Sequence, residues 1–221
     1  MSDLVGTFRF AAKAPARPVG LSAKRGIDIV LALSAIVLLA PLFAICFAAT
    51  FVTSPGPVLF RHRRVGFGGK YFDCLKFRTM ATDASKRLHD LLESDPAAAA
   101  EWATTRKLRH DPRVTPIGAI LRKSSLDELP QLFNVLRGEM SIVGPRPITD
   151  EELTRYSDSV DAYLACRPGI TGLWQVSGRS TTTYEKRVEY DTFYARNWSL
   201  AMDAKILIVT IPAVVLSGGA H

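Results

Sequence analysis

Cysteine is scarce in this chain of 221 residues: Cys46, Cys74 and Cys166 stand alone, with no CxxC pair and no His/Cys cluster at ligand spacing. That pattern excludes a disulfide scaffold and a structural zinc site, and it suits a reducing compartment, so the working part is expected to face the cytoplasm. The four histidines, His62, His89, His110 and His221, also share no metal-ligand spacing. There is no Walker A loop, and no GxGxxG opens a helix. Acid is in short supply, with 21 Asp and Glu against 28 Lys and Arg, a net charge of +7. Nucleic acid is not the expected partner of that charge, because stacking aromatics are not interleaved with the basic residues. A hydrophobic content of 48% excludes a disordered chain.

What the sequence does have is one long apolar run. Ile29 to Val52 is 24 residues without a charge, and only Ser34, Pro41 and Thr50 in it are not apolar. A straight helix of that length covers about 36 Å, enough for a hydrocarbon core of about 30 Å. The run starts too late and is too long for a secretory signal. Its flanks are basic on both sides: Arg9, Lys13, Arg17, Lys24 and Arg25 before it, and Arg61, Arg63, Arg64, Lys70, Lys76 and Arg78 after it. Basic flanks resist translocation, so both ends are expected on the cytoplasmic face. A re-entrant helix broken at Pro41 meets that demand, with Ser34 available to a freed backbone group; a kinked spanning helix is the alternative. A second apolar segment, Ile206 to Leu216, is too short to span, and reads as an interfacial helix or a core helix.

The expected organisation is a flexible basic tail (1–22), a re-entrant membrane helix (23–54) and a cytoplasmic catalytic domain with interfacial helices (55–221). Within that domain, Val58–Val65 and Tyr71–Arg78 alternate as strands around the hairpin turn Gly66-Phe67-Gly68-Gly69. Helices are expected at Asp83–Glu93, Pro96–Arg109, Leu126–Leu136 with Gly138 as its stop, and Tyr184–Asn197. The fold class is therefore helix-rich α/β with a β-hairpin, in a monotopic membrane protein.

Chemistry concentrates at Leu121-Arg-Lys-Ser-Ser-Leu-Asp-Glu-Leu-Pro-Gln-Leu. Asp127 and Glu128 are adjacent acids at an expected helix start, beside Arg122 and Lys123. Cations and the helix dipole favour an ionised Asp127, as a nucleophile needs, while Glu128 could hold a divalent cation on a diphosphate. The competing reading is a capping box in which Glu128 reaches back to Ser125, or a cap made by Asp127 itself. Arg146 between two prolines, Arg167 before one and Arg179 after a glycine suggest stiff presentation of guanidinium groups to a polyanion. Surface ion pairs and anionic-lipid contacts are the alternatives.

Four motifs in order carry a resemblance: Lys24-Arg-Gly-Ile-Asp28 through Lys76-Phe-Arg-Thr-Met80; Arg122-Lys-Ser-Ser-Leu-Asp-Glu-Leu-Pro-Gln131; Gly144-Pro-Arg-Pro147; and Arg167-Pro-Gly-Ile-Thr-Gly-Leu-Trp-Gln-Val-Ser-Gly-Arg179. Over about residues 22 to 219 the chain resembles the bacterial sugar transferases, the polyprenyl-phosphate phosphoglycosyltransferases. The resemblance implies transfer of a sugar 1-phosphate from a UDP-sugar to undecaprenyl phosphate, with release of UMP, as the first membrane step of exopolysaccharide synthesis. It implies that Asp127 forms a covalent phosphosugar intermediate and that Glu128 binds Mg²⁺. Arg122, Arg146, Arg167 and Arg179, with Lys76 and Arg78, are the implied substrate contacts. It places the enzyme at the bacterial inner membrane among membrane lipids, with a homo-oligomer and downstream glycosyltransferases as possible partners. The family breaks its re-entrant helix at a Ser-Pro pair; here the pair is Ala40-Pro41. The tail is too short for the extra N-terminal membrane domain of larger members, and the closing region is similar to the galactose- or glucose-phosphate transferases. A catalytically degenerate scaffold of a polysaccharide assembly complex is the alternative function.

Overall fold

A computed structural model describes residues 18–106, 108–177 and 183–216. Residues 1–17 of the expected tail and Arg179 lie outside them, and the first helix, α1 (Leu21–Leu38), already begins two residues before the expected boundary. The apolar run is two helices. After α1 the chain breaks at Leu39, and α2 (Ala40–Thr53) leaves at 65°. Pro41 sits in the first turn of α2, where its missing N–H and preset φ favour a helix start. No single described helix is long and apolar enough to cross a membrane; the bent pair passes that test together.

Both helices are two-faced. Val37 and Leu38 are 69% and 79% exposed and Val52 78%, an arrangement that water disfavours. The opposite faces join the domain core. Ala32 packs with Phe72, Leu132, Val135 and Met140, while Cys46 packs with Val58, Phe77 and Leu121. Ser34 is exposed on α1. The helix pair is thus built into the catalytic domain along one side.

β1 (Leu59–Val65) and β2 (Tyr71–Phe77) form the expected antiparallel hairpin, Leu59 opposite Phe77 and Val65 opposite Tyr71. Gly68 and Gly69 adopt φ of 64° and 77° in the connection, the left-handed geometry that Cβ-bearing residues resist. Burial alternates along β2 from Tyr71 to Cys74 but then takes in Leu75 and Phe77 as well; Phe77 packs with Cys46 of α2. α3 (Ala84–Ser94) and α4 (Pro96–Thr105) follow, α4 capped by the Asp95 carboxylate on the N–H groups of Ala97 and Ala98. α4 stops short of the expected Arg109, with Arg106 at φ 55°.

α5 (Pro116–Lys123) leads to the acidic motif. The continuous helix expected over Leu126–Leu136 is not formed. Ser125 turns to φ 57°, Leu126–Glu128 make one 3₁₀ turn, and α6 (Gln131–Arg137) starts after Pro130. Pro130 has no N–H for the Leu126 carbonyl, and i→i−3 bonds from Leu129, Leu132 and Phe133 carry the chain past it. Gly138 ends α6 at φ 81°, as its sequence position suggests.

β3 (Ser141–Val143) pairs in parallel with β4 (Gly169–Thr171). Between them lie α7 (Asp150–Leu153), a 3₁₀ segment and α8 (Val160–Leu164). α9 (Leu173–Ser177), α10 (Tyr184–Asn197) and α11 (Leu200–Leu216) complete the chain. In α11, Asp203 and Ile206 are buried against the domain while Ile208 is 69% exposed, so this helix joins the core on one face and leaves another apolar.

Candidate active site

The parallel strand pair brings two loops into backbone contact. Gly144 N–H donates to the Thr171 carbonyl and Gly169 N–H to the Pro145 carbonyl, at 2.9 and 2.7 Å. A Cβ on Gly169 would lie 2.1 Å from the Gly144 nitrogen, and one on Gly172 2.1 Å from the Gly144 oxygen. Only glycine permits that approach. Arg146, from the loop after β3, Ile170 of β4 and Gln175 of α9 line one cleft. The hairpin supplies Arg64, Cys74 and Lys76 from a single face, and the acidic turn and α6 supply Glu128 and Gln131.

Lys76 and Glu128 both line the cleft, with Lys76 Nζ 2.6 Å from Glu128 Oε1 and 3.8 Å from Asp127 Oδ2. Asp127 is only 7% exposed. Ser125 makes no side-chain cap, so the capping-box alternative fails: Glu128 pairs with Lys76, and Asp127 lies inside the turn. On the other side Arg122 donates from Nε to Thr79 Oγ1 at 2.8 Å. Burial lowers the Arg122 pKa, and the charge of Asp127 works in the opposite sense. Asp127 therefore feels the charges of Lys76 and Arg122, which stand on different elements.

A basic wall rises above it. Arg64 pairs with Glu152 at 3.2 Å, and Arg146 lies 5.8 Å over the Trp174 ring, whose other neighbour is Arg187 at 5.1 Å. Burial works against the Glu152 charge, but the Thr149 N–H and then Arg187, Arg64 and Arg146 hold its carboxyl below the usual range. Burial and the nearby Arg64 and Lys76 keep His62 below its ordinary value, so it adds no charge at neutral pH. Burial pushes the Cys74 thiol up to about 11, which leaves it neutral and unreactive beside the site.

Two expected substrate contacts are placed elsewhere. Arg78 is buried, with Nη2 donating to the Ser54 carbonyl at the end of α2. Arg167 donates from Nε to the Gly138 carbonyl, 2.9 Å, at the end of α6. Both cations sit where orphan helix carbonyls need donors. Conversely Arg64, Gln131 and Gln175 line the cleft without having been singled out. Arg64 was within reach of sequence reasoning: in the hairpin register it shares the Lys76 face, through Phe72 and Cys74.

Among the described residues no group of three or more His, Cys, Asp or Glu could by itself hold a metal ion. Adjacent carboxylates at Asp127 and Glu128 still suit Mg²⁺, which takes one or two carboxylates together with waters and substrate phosphates.

Acidic and basic side chains, Glu128 with Lys76, Arg64 and Arg146, thus share one cleft. Residues 19–217 match the family model of the bacterial sugar transferases, and the chain belongs to that family. It is a transferase, as its relatives are. It is similar to the exopolysaccharide production protein ExoY of Sinorhizobium fredii, with 50% identity over 205 residues, 93% of this chain and 91% of the relative. It is 48% identical to the undecaprenyl-phosphate galactose phosphotransferase of Salmonella typhimurium, covering 90% of this chain but 41% of that protein. Identity to the UDP-glucose:undecaprenyl-phosphate glucose-1-phosphate transferase of Xanthomonas campestris is 43%, over 85% of this chain and 38% of the relative.

Proposed function

We propose that this protein transfers a sugar 1-phosphate from a UDP-sugar to a polyprenyl phosphate, by way of an Asp127 phosphosugar intermediate, in exopolysaccharide production. The observation that carries the proposal is the acidic turn: buried Asp127 lies 3.8 Å from Lys76, and its neighbour Glu128 lines one cleft with Lys76, Arg64 and Arg146. In the first step an Asp127 carboxylate oxygen forms a bond to the phosphorus bearing the sugar, and the bond to the bridging oxygen breaks, releasing UMP with that electron pair. In the second, a phosphate oxygen of the lipid attacks the same phosphorus and Asp127 leaves as carboxylate. Splitting one transfer in two means that the two substrates need not share the site at once. Arg64, Arg146 and Lys76 offset the diphosphate charge, which is the main task in phosphoryl transfer. Glu128 is the residue to hold Mg²⁺ against the donor phosphates, where the ion when bound neutralises charge on the leaving group.

The bent α1–α2 pair supports a re-entrant, monotopic anchor in the inner membrane, with the cleft on the cytoplasmic face. Relatives named for galactose and for glucose transfer make either hexose a candidate donor. The test is single-turnover release of UMP from UDP-galactose and UDP-glucose, with trapping of the adduct by mass spectrometry. Wild type is expected to carry the phosphosugar on Asp127, and Asp127→Asn to release no UMP. An active Asp127→Asn variant overturns the mechanism.

A further inference from the structure

The acidic turn has a second side. Its polar residues face Lys76, but Leu126 and Leu129 pack against the buried cluster of Cys46, Val58, Phe77 and Leu121, which Leu42 and Phe43 of α2 also cover. Beside them lies a groove of about 270 Å³ whose lining is wholly apolar: Phe43, Ala44 and Phe47 of α2, Leu59 and Phe77 of the hairpin, and Pro130 and Phe133 after the acids. The Phe43 ring meets Phe133 edge-on at 5.7 Å and Phe77 at 6.1 Å, which gives the groove a firm floor. Its outer rim continues into the exposed apolar face of the helix pair, where Phe47 and Phe51 are 52% and 63% exposed.

We infer that this groove holds the first part of the hydrocarbon chain of the lipid phosphate acceptor. The inference rests on the proposed function and adds a place for the acceptor to it. A molecule with an anionic head and one apolar chain must put its phosphorus-bound oxygen near Asp127 without drawing its chain across the arginine wall. The two sides of the acidic turn satisfy both demands. Pro130, three residues after Asp127, lines the groove together with Phe77, next to Lys76, while Phe47 and Leu59 of the same lining are exposed. A preformed apolar slot next to charged groups orients such a ligand because each half is excluded from the other's surroundings. After the 65° bend α2 brings Phe43, Ala44 and Phe47 into one groove with Phe77, Pro130 and Phe133.

The test separates the two half-reactions of the full-length protein in detergent micelles. Ala44→Trp fills the groove from an exposed backbone position, and Ile45→Trp, on the outward face of α2, adds the same bulk outside it. The acceptors are undecaprenyl phosphate and a two-isoprene phosphate. Ala44→Trp is expected to raise the KM for undecaprenyl phosphate tenfold or more and to erase its advantage over the short acceptor, with acceptor-free UMP release at the wild-type rate. Ile45→Trp is expected to leave the acceptor KM within twofold of wild type. Equal effects of the two variants would mean that ordinary lipid fills the groove, and would overturn the inference alone. Wild-type protein forming no adduct would overturn the proposed function and this inference together.

Discussion

Lys24 offers the sharpest check on how α1 is joined to the rest of the fold. Its ammonium lies 2.6 Å from Asp203 Oδ2, and the two side chains are 9% and 11% exposed. Asp203 also accepts from the Tyr194 hydroxyl at 2.7 Å and from Trp198 Nε1 at 3.0 Å. Removing one partner of a buried pair costs about 3–5 kcal/mol when the other charge is left bare. Lys24→Met leaves Asp203 with two donors, so its cost should be lower, about 2–3 kcal/mol. Asp203→Leu strands the ammonium together with two other donors and should reach the full 3–5 kcal/mol, about. For a chain of this size each kcal/mol shifts Tm by about 2–4 °C. The assay is thermal unfolding in detergent, followed by tryptophan fluorescence. Lys24→Met should lower Tm by about 5–10 °C and Asp203→Leu by more, while the double variant should fall well short of the sum. A Lys24→Met shift under about 1 °C, or strict additivity, would refute a buried pair joining α1 to α11.

Three further outcomes are expected. Lys76→Met, which removes the cation shared by Asp127 and Glu128, should slow UMP release about 10²–10³-fold with little change in Tm; a loss under threefold would remove Lys76 from the chemistry. Gly169→Ala, whose Cβ would meet the Gly144 nitrogen at 2.1 Å, should destabilise by about 2–3 kcal/mol, read as a drop in Tm, and disable transfer. Burial pushes Asp191 up to about 6 from 3.8, so the folded state holds this proton more tightly than the unfolded chain. The stability tied to it is complete below 3.8 and is lost as pH rises through about 6. Asp191→Asn should therefore flatten the fall in Tm between pH 4 and 7, and an unchanged slope would contradict the assignment.

Local signals in the sequence were reliable where a single residue type decides the geometry. The hairpin turn follows from Gly68 and Gly69, the stop at Gly138 from its freedom at positive φ, and the break near Pro41 from a missing N–H. The apolar spacing over Leu126–Leu136 is helical, yet Pro130 and the left-handed Ser125 divide the segment. That division matters for chemistry, since a continuous helix with Asp127 or Glu128 in its cap would use up the acids. The site was half legible. The motifs bring Lys76, Glu128 and Arg146 into one cleft and set Asp127 beside Lys76, while Arg78 and Arg167 bond to helix-end carbonyls.

The basic flanks show the division most clearly. Sequence alone established that the chain is rich in cations around an apolar run, that the run is interrupted, and that two acids stand side by side near several arginines. Those properties follow from composition and from contacts within a few residues. The destination of each cation depended on the tertiary structure. Lys24 finds Asp203 across 179 residues of chain, and Arg25 reaches the Val135 and Leu136 carbonyls at the end of α6. Arg64 and Lys76 turn to the cleft. All of them look alike in sequence because charge is a property of the residue. Pairing is a property of the fold, since burial makes a partner obligatory and packing alone decides which partner is within reach.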